Sequence, residues 1–133
     1  MDARMTTLAQ TCFEAAETGA MTFPQIVGAL SGGGFEGYVV DYRRATTTYY
    51  AADGDRVELP GPETDGDVAP RLDAEALGAA IRDAQTLASG YTYLGFCRTA
   101  KAAGCAGYMV SFTGRRALYF GRDAATHVEP FPN

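Results

Sequence analysis

A chain of 133 residues with 47% apolar and 20% charged side chains has the composition of one globular domain, long enough to bury a core without disulfide or metal staples. Its net charge of −5 disfavours duplex nucleic acid and anionic membranes as partners, because both require a dense cationic surface. No apolar run approaches the roughly 18 residues of a membrane span, and the opening MDARMTTLAQ lacks the apolar stretch of an export signal, which predicts a cytoplasmic protein.

Met5, Leu8 and Cys12 fall at helical spacing and predict a first helix. Thr22 with Gln25 three residues on reads as a capping box, with Met21 and Ile26 as its hydrophobic staple and Pro24 tolerated in the first turn. A second helix therefore starts there, and Gly32, Gly33 and Gly34 end it. Tyr38, Val40 and Tyr42 alternate with Val39 and Asp41, the pattern of a strand. Thr46 to Ala51 is rich in Thr and Tyr, and Asp53-Gly54 is a hairpin turn into a third strand over Arg56 to Leu59. The stretch PGPETDGDVAP that follows combines proline, glycine and acids, which predicts an exposed linker over 60–71.

The same order then recurs. Asp73 is placed to cap a helix whose stripe is Leu77, Ala80, Ile81, Ala84 and Leu87, with Leu72 and Leu77 as the staple. Thr92 opens another, with Tyr91 and Phe96 as its staple but Gly95 where a capping box needs Gln, and Gly104 closes it. Strands follow at Tyr108 to Phe112, Arg116 to Gly121 and Thr126 to Phe131.

TFPQIVGALSGGGFEGYVVDY, from Thr22, aligns without a gap on TYLGFCRTAKAAGCAGYMVSF, from Thr92, at a spacing of 70 residues. Gly34/Gly104, Gly37/Gly107, Tyr38/Tyr108, Val40/Val110, Tyr49/Tyr119 and Asp53/Asp123 are identical. One extra residue after Asp123 moves the spacing to 71, pairing Val57 with Val128 and Glu58 with Glu129. The expected architecture is an α+β domain over 1–133, a tandem duplication of a helix-helix-strand-strand-strand unit over about 3–60 and 72–132. A unit that small gains little core alone, so the copies pack together about a pseudo-twofold axis with antiparallel strands, in one sheet or two.

The strings GYMVSFTGRRALYFG and HVEPFP, with GYVVDYRRATTTYYAADGDRVELP and MTFPQIVGAL before them, resemble the YdfO-like (YbcV-like) family of small bacterial and prophage-associated proteins over nearly the whole chain. That family is a domain of unknown function, sometimes labelled "phage envelope protein". The resemblance implies one unified fold and carries over no catalytic residue.

Gly32, Gly34 and Gly37 spell GxGxxG, but here a helix precedes the glycines and a strand follows, the reverse of the order that dinucleotide binding needs. Three cysteines without CxxC spacing read as reduced thiols. Cys97 with His127, oriented by Glu129, outlines a nucleophilic site; against it, Cys97 stands where Val27 stands in the first copy, which suits apolar packing. His127 and Glu129 share a strand face and suit a metal only if a third ligand arrives from elsewhere, so no metal and no cofactor are expected. Arg43 and Arg44, with Arg115 and Arg116 in the matching turn, would clamp a small anion if the turns converged; otherwise they are solvated hairpin tips. Eight tyrosines, Tyr38 and Tyr108 among them, are available to line a gap between sheet and helices. Together these features predict a non-catalytic module that binds a protein or a small anionic ligand between its two repeats, plausible as a homodimer. The alternative is a small enzyme that uses Cys97 and His127.

Overall fold

The computed structural model describes residues 1–132. Asp2 opens α1 (Ala3–Thr18) by accepting the Met5 amide at 2.9 Å, and Gly19 closes it in the left-handed conformation at φ 78°. In α2 (Phe23–Gly32) the capping box is complete: Thr22 accepts from the Gln25 amide at 3.4 Å, and the Gln25 side chain accepts from the Thr22 amide at 2.8 Å. Asp73 caps α3 (Ala74–Thr86), which ends on Leu87, a non-glycine residue held at φ 50°. Thr92 caps α4 (Tyr93–Ala102) through the Gly95 amide alone, because glycine has no side chain with which to return the bond.

The strands are β1 (Phe35–Asp41), β2 (Thr46–Ala51), β3 (Arg56–Pro60), β4 (Cys105–Ser111), β5 (Arg116–Gly121) and β6 (Thr126–Pro130). They form one antiparallel sheet in the order β3-β2-β1-β4-β5-β6, so the choice left open between one sheet and two resolves to one. At its centre β1 pairs with β4, with Tyr38 opposite Val110, Val39 opposite Met109 and Val40 opposite Tyr108. Close approach at this seam is why glycine stands at 37 and 107. A Cβ on Gly37 would run into the Val110 carbonyl oxygen, and one on Gly107 into that of Val40.

Alternation along the strands buries one face under the helices, where Tyr38, Val40, Tyr49, Tyr108, Val110 and Tyr119 lie. The other face stays open, with Met109 and Val128 exposed on it. No helix among the described residues is long and apolar enough to cross a membrane.

Two expectations need correction. Strands that begin at 35, 46 and 56 recur at 105, 116 and 126, so the spacing of 70 holds to the end and the extra residue after Asp123 does not exist. Cross-strand pairing settles the register: Tyr49 faces Val57, and Tyr119 faces His127. Val57 therefore corresponds to His127 and Leu59 to Glu129, whereas Glu58 points to the opposite face from Glu129. A one-residue slip exchanges the faces of a strand, so the apparent Val57/Val128 and Glu58/Glu129 matches put those side chains on the wrong side.

The stretch between β3 and α3 is irregular, as its composition demands, but it is not a free linker. Gly61, Pro62 and Val68 are buried. Its carbonyls are taken up from three directions: the Thr47 hydroxyl donates to Gly61 O at 2.9 Å, Lys101 Nζ to Thr64 O at 2.9 Å, and Arg122 to Val68 O at 3.0 Å. Proline and glycine exclude helix and strand, yet a segment without regular structure can still pack when distant donors satisfy its backbone.

Candidate functional site: a tyrosine-lined cavity

Tyr38, Tyr49, Tyr108 and Tyr119 come from the four central strands and point to the helix-covered face. Their rings touch in series, with centroids 5.4 Å apart for Tyr49–Tyr38, 6.3 Å for Tyr38–Tyr108 and 5.0 Å for Tyr108–Tyr119, and His127 continues the row at 6.3 Å from Tyr119. Each pair is within the range at which aromatic rings attract one another. Above this row the α1–α2 and α3–α4 hairpins do not close completely. They leave a cavity of about 770 Å³ that reaches from Val40 and Thr47 on the sheet to the turns at Thr18–Met21 and Leu87–Tyr91. That volume suits a small organic ligand. Both helix pairs and both strand triplets contribute walls, and exposed Phe23 and Leu87 stand at the rim.

Six of the eight tyrosines line the space. Burial raises the pKa of Tyr38, Tyr49, Tyr108 and Tyr119, so their hydroxyls are neutral at physiological pH. The Tyr93 and Tyr108 hydroxyls bond each other at 2.7 Å, while that of Tyr42, outside the cavity, is buried without a well-formed partner. Two carboxylates enter the wall, Glu17 at the end of α1 and Glu129 on β6. Burial, and then the neighbouring charge of Glu14, raises the Glu17 pKa. Glu129 is paired with His127 Nε2 at 3.1 Å and is approached by the Gln85 amide at 3.4 Å. No lysine, arginine or histidine lines the cavity among the described residues.

The tyrosines carry a prediction of their own. An unfolded chain releases its phenolic protons near pH 10.0, but the buried rings hold theirs well beyond that point. The folded state then binds more protons than the unfolded one, so stability is intact below about pH 10 and falls as the pH rises above it. The tyrosinate absorbance of these four rings is expected to appear in one steep step that coincides with loss of far-ultraviolet circular dichroism. Full ionisation with the dichroism unchanged would contradict the burial.

Of the residues singled out from sequence, Tyr38 and Tyr108 line the cavity and Glu129 is in its wall. His127 stands behind Glu129 as its bonding partner. Cys97 lies elsewhere: it is fully buried in α4, faces Tyr42 and Tyr93, and burial pushes its thiol up to about 11. The polar partner of His127 is Glu129, so the two members of the proposed dyad have separate surroundings. No third His, Cys, Asp or Glu joins His127 and Glu129 in a metal-sized group among the described residues.

The anion clamp does not assemble. Antiparallel pairing of β1 with β4 sets the Arg43–Arg44 turn level with Ala106 and the Arg115–Arg116 turn level with Glu36. The two turns are thus at opposite ends of the sheet, roughly 20 Å apart for six residues of strand. All four arginines are exposed; Arg44 pairs loosely with Glu58 at 3.7 Å, Arg116 Nε donates to Gly114 O, and Arg115 lies over the Phe131 ring at 5.7 Å. Tyr49 and Tyr119 belong to the eight tyrosines expected near the gap without being singled out from them, whereas Glu17 and Gln85 were not foreseen. The identity of Tyr49 with Tyr119, on the same strand face as Tyr38 and Tyr108, was the signal for the first two; nothing local marks Glu17 or Gln85. No protein-family model matches the chain, and no curated protein matches it.

Proposed function

We propose that this protein is a non-catalytic module that binds a small, largely apolar ligand in the cavity between its two halves. The observation that carries the reading is the cavity itself, walled by tyrosines from all four central strands and roofed by both helix pairs. A cleft that descends between the helix pairs to the sheet favours a small molecule over a protein segment, and its lining of acids without bases disfavours the anionic ligand expected from the arginines.

The reading treats the halves as copies packed about a pseudo-twofold axis. Its support is the equal element order, the constant spacing of 70, and a central pairing in which Tyr38 meets Val110 while Val40 meets Tyr108. The cavity would then lie on that axis, which accounts for walls drawn evenly from both halves. Membership of the YdfO-like family remains part of the proposal on the residues that resemble it.

Nile red, a neutral apolar dye, tests the cavity. The wild-type protein is expected to bind it with enhanced emission, and Ala84→Trp, which places an indole in the wall contributed by α3, to weaken binding by about tenfold or more through lost volume. Unaltered dye binding by an Ala84→Trp variant with a native unfolding transition would overturn the proposal. Ala88→Trp, in the α3–α4 turn, provides a second block if the helix variant unfolds.

A further inference from the structure

The cavity wall is chemically lopsided. On the helix-covered face of β3 the residues are Val57 and Leu59, whereas the same two positions of β6 hold His127 and Glu129. Packing is satisfied by the apolar pair in one half, so an ionisable pair in the other is not what the core requires. Glu129 faces the cavity and, apart from His127, meets only the neutral Gln85 amide. Glu17 enters from α1 on the same space and makes no salt bridge among the described residues.

A neutral molecule can fill such a space, but it brings no counter-charge to the two carboxylates in the wall. An anion would meet them directly, and the arginines that would answer its charge are outside at the ends of the sheet. A cation meets both needs: carboxylates compensate its charge, and the negative faces of neutral tyrosine rings attract it. The apolar rim at Phe23 and Leu87 suits its hydrophobic substituents.

Resting on the cavity reading above, we infer that the ligand is a lipophilic monocation, aromatic or alkylammonium in kind, held over the tyrosine row with Glu129 and Glu17 as its counter-charges. Tetraphenylphosphonium and tetraphenylborate share a shape and differ in the sign of their charge, so calorimetric titration of the intact protein with each, at about pH 8, isolates the effect of charge. The phosphonium is expected to bind at least about tenfold more tightly than the borate. Glu129→Gln is expected to lower phosphonium affinity by about tenfold while leaving Nile red binding in place, since a neutral dye does not need the carboxylate. Should Glu129→Gln lose Nile red as well, Glu17→Gln decides by the same pair of measurements.

Equal or tighter binding of the borate, or full phosphonium affinity in both glutamine variants, overturns the cation assignment. If Nile red still binds in those cases, the cavity reading survives and only the ligand's charge was misjudged. A wild-type protein that takes up neither dye nor phosphonium overturns both.

Discussion

Gly107→Val is expected to destabilise the protein by about 3 kcal/mol, as overpacking at a closed position does. The site has no room on either side: a Cβ there would strike the Val40 carbonyl oxygen across the seam and would lie 2.8 Å from the Phe120 ring. Among the described residues β1 and β4 are the only strands through which one half of the sheet pairs with the other, so forcing them apart weakens every contact that depends on their register. Gly37→Val, which meets the Val110 carbonyl in the same way, should cost a comparable amount. Gly28→Ala makes the contrast. A Cβ at that α2 position has nothing within 4 Å, and alanine is the better helix former, so a gain of about 0.5–1 kcal/mol is expected. Urea unfolding of the three variants checks the set, and a seam variant as stable as the wild type would show that the glycines are not required by close approach.

The second large effect concerns Cys97. Its thiol is displaced by burial from 9.0 to about 11, and its side chain is fully enclosed. Two pH units remove about 99% of the thiolate that an unperturbed cysteine would carry at neutral pH, and it is the thiolate that reacts. Iodoacetamide at pH 7.5 is therefore expected to modify Cys97 in the native protein at least about 100-fold more slowly than a model thiol, with mass spectrometry of the digested protein as the readout. Urea should abolish the protection. Alkylation of native Cys97 as fast as the model thiol would restore the nucleophile reading and remove the case for a non-catalytic module.

How much of this was legible beforehand follows the range of the interactions involved. Thr22 with Gln25, Asp73 with Ala76 and the Asp53-Gly54 turn involve partners within three residues, so the helix starts and the second hairpin could be read directly. The repeated tyrosines on one strand face were equally visible. The irregular segment at 61–73 was correctly excluded from helix and strand, but its burial depends on Thr47, Lys101 and Arg122, which approach from 14 to 54 residues away. The final register failed for a related reason. Val57/Val128 and Glu58/Glu129 match as letters, and only cross-strand pairing with Tyr49 and Tyr119 shows that they occupy opposite faces.

Among the described residues the helices, strands and turns follow local signals, as does the spacing of 70 up to Asp123, because capping, alternation and turn chemistry act over a few residues. Long-range pairing was needed for the rest: that the strands make one sheet, that the arginine turns part to opposite ends while the tyrosines meet, and that Glu17, Gln85 and Glu129 share a cavity. Those outcomes are set by the antiparallel pairing of β1 with β4, a contact between residues about seventy apart whose direction no local pattern encodes.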